Sequence, residues 1–153
     1  MPVPMEVPFF IGSDHAGFDL KKILRAHLEK LKRSVEDLGT HSTESCDYPV
    51  AASEVCRTVL SRNGLGILIC GAGLGMSMAA NRHRGIRAAL CTHTFHARAA
   101  RAHNNANVLC LGQRVTTPDL ALEILEIFLE TPYEGGRHER RLALLEQNPA
   151  DIG

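Results

Sequence analysis

Short apolar runs of the β type alternate along this chain with stretches whose apolar residues recur at helical spacing. The runs predict five strands, over residues 8–13, 34–38, 66–70, 86–91 and 107–111. The periodic stretches predict helices over residues 18–32, 47–61, 76–82, 94–103, 118–130 and 137–146. Strands that alternate with helices in this way are typical of stacked β–α–β units and a largely parallel sheet.

Two of these segments carry the strongest signals. Residues 66–70 are apolar throughout and bounded by glycines, as expected for a central parallel strand buried on both faces. Residues 18–32 place Leu20, Leu24, Leu28 and Leu31 on one side of a helix and charged residues on the other. We therefore predict an α/β domain whose amphipathic helices cover a parallel sheet.

Composition limits the number of domains and the classes of partner. A chain of 153 residues with 44% hydrophobic residues suits a single domain over residues 1–153 with one ordinary core. The 17 basic and 17 acidic side chains leave no net field for nucleic acid or an anionic membrane, so we expect neither partner. Residues 1–7 contain two prolines and no basic residue, and we expect a disordered leader there, not a signal peptide or membrane anchor.

The cysteine count bears on the compartment. Five cysteines are an odd number without a framework spacing, which indicates reduced thiols and a cytoplasmic location; they are Cys46, Cys56, Cys70, Cys91 and Cys110. The group Cys91, His93 and His96 matches no standard zinc spacing, so we expect no metal.

Chemistry in an open α/β sheet is expected beyond the carboxyl ends of the strands. The first strand leads into residues 13–17, the third into 70–75 and the fifth into 112–114, while the helix after the fourth strand runs into 103–105. We expect an acid, an imidazole, a thiol and a glycine-rich set of amides to face one crevice there.

The sequence of the glycine-rich loop between Gly71 and Gly75 excludes several known classes of binding and catalytic site. It lacks the third-glycine offset of a dinucleotide fingerprint, and no Gly-Lys-Ser/Thr follows as in a P-loop. Met76 stands where a thiol phosphatase would need an arginine. The remaining interpretation is a loop whose backbone N–H groups could hold a developing oxyanion. Cys70 stands at the start of this loop, where the amide dipoles favour the thiolate form of its side chain. That arrangement suits enediolate chemistry, although Cys70 could instead be a small buried apolar residue.

Other polar residues have both structural and functional interpretations. Arg137 and Arg141 are four residues apart and could converge on one phosphate, or they could belong to a solvated basic helix face. Asp47 could cap the second helix or contribute to the site.

Six motifs, taken in order and spacing, resemble one family over about 130 residues. They lie at residues 12–18, 47–49, 66–81, 85–88, 101–107 and 133–138. The chain resembles the type B ribose-5-phosphate isomerases and their galactose- and allose-6-phosphate isomerase relatives. The resemblance implies a three-layer α/β/α, Rossmann-like domain with a five-stranded parallel sheet and a C-terminal helix that packs on a dimer partner.

The resemblance also implies roles for individual residues. Cys70 would move the proton between C2 and C1 of an open-chain sugar phosphate, through a cis-enediolate. His103, with Asp14, would open the furanose ring, and His138 is a second candidate for that step. Implied phosphate ligands are His15, Arg114, Arg137 and Arg141. Implied oxyanion and sugar contacts are Gly71, Ala72, Gly73, Leu74, Gly75, Asp47, Tyr48 and Asn104.

The family builds each site from two subunits, with His103, Asn104 and Arg114 reaching over from the partner. We therefore expect a homodimer, or a tetramer, that binds a small sugar phosphate and uses no cofactor. Ala72 departs from the family, which usually has Thr or Ser there. Two alternatives stay open: an isomerase for allose or galactose 6-phosphate, and a sugar-phosphate-binding module without catalysis.

Overall fold

The computed structural model describes residues 2–153 and contains five strands and six α-helices in these residues. The strands are β1 (Phe9–Ser13), β2 (Val35–Asp37), β3 (Leu65–Cys70), β4 (Ala88–Leu90) and β5 (Val108–Gly112). The helices are α1 (Phe18–Lys30), α2 (Tyr48–Arg62), α3 (Leu74–Ala80), α4 (Thr94–Ala102), α5 (Pro118–Glu130) and α6 (Arg137–Leu145). Every element predicted from the pattern is present, and β4 is shorter than predicted.

All strand pairs are parallel, in the order β2-β1-β3-β5-β4. Strand β3 is central and buried at every position, as its unbroken apolar run predicted. Because side chains alternate along a strand, Ile67 and Ile69 point to the face covered by α1, α4 and α5, whereas Leu68 and Cys70 point to the face covered by α2 and α3. The predicted three-layer α/β/α fold with a five-stranded parallel sheet is confirmed.

The N-terminal residues differ from the expectation. Residues 2–7 do not form a disordered leader: Val3 is buried, and its N–H donates to the carbonyl of Leu129 at the end of α5 at 2.9 Å. The guanidinium of Arg33 donates to the carbonyls of Val3 and Pro4. The buried Val3, the partly buried Val7 and three hydrogen bonds therefore hold this segment on the domain, while Met1 lies outside the described residues.

Helix α6 lies across the amino-terminal edge of the sheet. Glu146 directly follows the last residue of this helix. Its carboxylate accepts hydrogen bonds from the Arg87 guanidinium at 2.9 Å and from the Gly85 N–H at 3.2 Å. The helix is therefore anchored on its own chain, and its packing on a dimer partner stays a prediction. Within residues 2–153 no helix has both the length and the apolar character that crossing a bilayer requires.

Candidate active site

Cys70 ends β3 and faces the glycine loop. Its Sγ accepts a hydrogen bond from the N–H of Gly73 at 3.1 Å, and the residue is 5% exposed. Gly73 has φ +80°, and a Cβ there would lie 2.5 Å from Leu90 Cδ1. Only glycine fits this position, so the loop is built to bring a backbone donor onto the sulfur. A sulfur that accepts an N–H bond is suited to carry negative charge.

The loop after β5 supports the glycine loop from the other side. Gln113 N–H donates to the carbonyl of Cys70 at 2.9 Å, and Arg114 N–H donates to that of Gly71 at 3.0 Å. The Arg114 guanidinium lies over Gly71, 3.0 Å from where a Cβ would stand. Arg114 therefore belongs to the Cys70 site of its own chain, and the implied origin from the partner subunit is wrong for this residue.

Asp14 and His15 follow β1 at the same edge. Asp14 is 7% exposed, and its Oδ1 accepts the N–H groups of Ala16 and Gly17 at 3.0 and 3.1 Å. The N–H of Asp14 donates to the Ile69 carbonyl, which joins this turn to β3 one residue before the thiol. His15 accepts the Cys46 N–H through Nδ1 at 3.2 Å. Both side chains are therefore held beside the end of β3.

Tyr48 and Asp47 open α2 near the glycine loop. A Cβ on Gly75 would lie 2.7 Å from Cζ of Tyr48, so the phenol ring packs directly on this glycine. Asp47 occupies the N-cap position but its side chain makes no capping hydrogen bond. Asp47 therefore begins the helix without bonding its N–H groups through the carboxylate, and a contribution of that carboxylate to the site stays a prediction.

Ala72 and Leu74 complete the loop. Both are exposed, as is expected of residues that border an open site. The backbone of Ala72 crosses Gly112 so closely that a Cβ on Gly112 would lie 2.5 Å from the Ala72 carbonyl carbon. The methyl group of Ala72 supplies no hydroxyl where the resemblance would place one.

A second group of predicted residues lies at the opposite, amino-terminal edge of the sheet. His103 and Asn104 follow the C-terminal end of α4, and the chain then reaches Asn107, whose carbonyl accepts the N–H of Gly66 at the start of β3. Gly66 and Cys70 are four residues apart on one strand, which is about 13 Å. The prediction that His103–Asn105 share the Cys70 crevice is wrong within one chain, because a helix returns the chain to the edge opposite the strand's end.

The side chains of this second group are close to one another. The rings of His103 and His138 stack with centroids 4.6 Å apart, and His103 Nε2 lies 3.6 Å from Glu134 Oε2. Loss of hydration lowers the pKa of His138, and the neighbouring His103 and Arg137 lower it further. Sequence reasoning assigned no role to Glu134, although it stands within the motif at 133–138.

Arg137 and Arg141 project from α6 in the same region. Both are exposed, and neither forms an ion pair with any residue from 2 to 153. Two uncompensated guanidinium groups one helical turn apart fit a phosphate, and they also fit a solvated face. Asn104 borders a cleft of about 810 Å³ beside Arg87, whose Nε donates to the Asn104 carbonyl.

The remaining cysteines differ from Cys70 in their surroundings. All five are free thiols, and burial raises the pKa of Cys56 and of Cys91 to about 12. Burial raises the pKa of Cys110 as well. These three are packing residues, so Cys70 is the thiol that the fold places beside backbone donors at the sheet edge.

Comparisons with known proteins agree with this geometry. The model of the Ribose/Galactose Isomerase family matches residues 9–145. Ribose-5-phosphate isomerase B of Escherichia coli is 46% identical over 132 residues, 86% of this chain and 89% of that protein. A ribose 5-phosphate isomerase of Thermotoga maritima has a crystal structure with a TM-score of 0.89 and 52% identity, covering 92% of this chain and 97% of that one.

A crystal structure of ribose-5-phosphate isomerase B from Mycoplasma genitalium, with bound ribulose-5-phosphate, has a TM-score of 0.90. It is 43% identical and covers 94% of this chain and 96% of that chain. The similarity in sequence and in structure extends over nearly the whole length of this chain and of each relative. The resemblance predicted from the motifs is confirmed, and the chain belongs to the ribose/galactose isomerase family.

Proposed function

We propose that this chain interconverts ribose 5-phosphate and ribulose 5-phosphate, with Cys70 as the general base. The observation that carries the proposal is the Cys70 sulfur held by the Gly73 N–H at the mouth of the glycine loop. The ribulose-5-phosphate bound to the relative from Mycoplasma genitalium supports the choice of a five-carbon substrate.

The proposed chemistry is a proton transfer between neighbouring carbons. The Cys70 thiolate removes the proton from C2 of the open-chain aldose, the C–H electron pair forms the C1–C2 double bond, and the carbonyl oxygen becomes an enediolate oxygen. The O2 proton then passes to O1, the C2 carbonyl forms, and the electron pair of the C1–C2 double bond takes the proton back from the thiol at C1, which regenerates the thiolate. The amides from Gly71 to Gly75 would stabilise the enediolate, where one lost donor costs about 3 kcal/mol.

We further propose a homodimer in which each site is shared. The thiol, Asp14, His15 and Arg114 lie at one edge of the sheet, and His103, Asn104 and the α6 residues lie at the other, so one chain holds two half-sites. A two-fold axis brings one edge against the opposite edge of the second copy and makes two identical sites. Exposed apolar side chains on α3 and α4, Leu74, Met78 and Phe95, offer surface for such an interface.

In this assembly the phosphate is held between two chains. His15 and Arg114 would approach it from the Cys70 side, and Arg137 and Arg141 from the second copy. Their guanidinium groups suit bidentate contacts to phosphate oxygens. His103, with Asp14 or His138, would transfer the protons that open the furanose ring. The free thiols support a cytoplasmic location.

The test is a coupled assay on purified protein with ribose 5-phosphate, ribulose 5-phosphate, allose 6-phosphate and galactose 6-phosphate. We expect the pentose phosphates to be the preferred substrates. Preferred turnover of a six-carbon phosphate would replace the substrate assignment and leave the chemistry intact.

The matched variants are Cys70→Ala and Cys46→Ala, since Cys46 contacts the site through its backbone and not through its thiol. Cys70→Ala should lose at least ~10³-fold in kcat while ribose 5-phosphate still raises its melting temperature; removal of a catalytic group commonly costs this much. Cys46→Ala should stay within a few-fold of the wild type. Full activity of Cys70→Ala would refute the proposed base, and binding without any turnover in the wild type would favour a binding module.

A further inference from the structure

Three metal-ligating side chains meet at the amino-terminal edge of the sheet. One ligand atom from each of His103, Glu134 and His138 lies within 4.8 Å of the other two. Two imidazoles and a carboxylate are a common ligand set for Zn²⁺ and similar transition ions, with a fourth position left for water. No other group of this kind occurs among residues 2–153.

The backbone under these side chains is fixed. Glu134 N–H donates to the carbonyl of Ala102 at 3.0 Å, which places Glu134 beside His103, the next residue along. His138 N–H donates to the Gly135 carbonyl at 3.1 Å, and the His138 side chain is buried. Two loops and the first turn of α6 are therefore held together before any metal binds, so little ordering entropy opposes binding.

The distances require only side-chain rotation. Bonds of about 2.1 Å to a tetrahedral Zn²⁺ put ligand atoms roughly 3.4 Å apart. His103 Nε2 and Glu134 Oε2 are already 3.6 Å apart, and these two side chains are 45% and 51% exposed. Both can turn toward the buried His138 without moving the backbone. The stacked rings of His103 and His138 must tilt so that one nitrogen of each faces the ion.

The surrounding charges limit the affinity. Arg137 and Arg141 stand near His138 and repel a cation, whereas Glu134 attracts it. Glu139, whose carboxylate lies beside Gly135, adds a further negative charge without joining the three ligands. The site is therefore suited to reversible occupation and not to a permanently held structural ion.

We propose that His103, Glu134 and His138 form a three-ligand site for a divalent transition-metal ion of the Zn²⁺ class. Binding of the ion stands on the geometry alone. Its consequence rests on the proposed function: both imidazoles are candidates for ring opening, so an ion that takes their nitrogens inhibits the isomerase.

The experiment titrates metal-free protein with Zn²⁺ by calorimetry and with Co²⁺ by visible absorption. We expect one ion per chain and the d–d bands of nitrogen and oxygen ligation, without the near-ultraviolet charge-transfer band of a thiolate ligand. Glu134→Gln should weaken binding at least ~10-fold. Loss of a residue that only supports a metal ligand typically lowers the affinity by at least this factor, and loss of the ligand itself should lower it no less. The matched control Glu139→Gln should keep its affinity within about two-fold of the wild type.

Further variants keep the proposal falsifiable. Cys70→Ala should bind Zn²⁺ as the wild type does, and circular dichroism should show each variant folded; if Glu134→Gln does not fold, His103→Asn should show the same ~10-fold loss. Absent binding, or binding that depends on Cys70 and not on Glu134, would overturn the site. Zn²⁺ that binds here without slowing isomerisation would instead count against the proposed ring-opening roles and leave the metal site standing.

Discussion

Mixing two inactive variants tests the shared site. In one chain the Cys70 group and the His103 group lie at opposite sheet edges, about 13 Å apart along β3 alone. Cys70→Ala keeps an intact His103, and His103→Asn keeps an intact Cys70. If each site takes its thiol from one subunit and His103 from the other, a mixed dimer has one site in which both residues are present.

The size of the effect follows from this geometry. Random exchange of equal amounts gives about half mixed dimers, and each has one intact site of two, so we expect about a quarter of wild-type activity from two nearly inactive proteins. The assay is the coupled isomerase measurement with ribose 5-phosphate, whose furanose ring must be opened, after mild denaturation and refolding of the mixture, with each variant refolded alone as the control. Activity no higher than the mean of the two variants would refute the shared site.

Three further predictions test the local structure. Gly73→Ala should destabilise the protein by about 1–3 kcal/mol in urea unfolding and lower kcat, because its φ is +80° and the new Cβ would meet Leu90; an unchanged midpoint would contradict the assigned strain. Lys21→Met should cost about 1–3 kcal/mol, because the fully buried ammonium bonds the Asp37 carboxylate at 2.8 Å and the Thr40 carbonyl, while Asp37 keeps the Gly39 N–H at 2.9 Å and the Arg25 guanidinium at 3.5 Å; a stability equal to that of the wild type would refute this pairing. His138 should titrate below the pH of an unstructured histidine in an NMR titration, because its pKa is lowered in the fold. The unfolded chain therefore binds the proton first, and stability falls as pH drops below about 6.5, a dependence that His138→Gln should reduce.

The fold was predictable because hydrophobic pattern and element type agree along most of the chain. Strand β3 is buried on both faces, and its apolar run shows this directly. Helix α5 begins where Thr117 and Pro118 predict, with the Thr117 side chain accepting the Leu120 N–H. Strand β4 is shorter than predicted at its start because the N–H of Arg87 donates to the Asn107 side chain and not to a neighbouring strand.

The errors concern arrangements that a linear pattern does not encode. The linear pattern groups His103 with Cys70 because each stands at the end of a regular element, but His103 ends a helix and Cys70 ends a strand, and these end at opposite edges of a parallel sheet. Glu134 carries no recognisable ligand pattern in the sequence, because one partner, His103, ends α4 about 30 residues earlier and the other, His138, lies in the first turn of α6. The packing of Val3 against α5 depends on a single buried side chain, which gives no periodic signal.

Exchange of substrate hydrogen with solvent reports most directly on Cys70 as the base. Ribulose 5-phosphate is incubated with protein in D₂O, and proton NMR follows loss of the C1 hydrogen signal. We expect the wild type to incorporate deuterium at C1, Cys70→Ala to lose this exchange at least ~10³-fold, and His103→Asn to retain it because no ring is opened in that half-reaction. Exchange in Cys70→Ala at the wild-type rate would show that another group moves the proton.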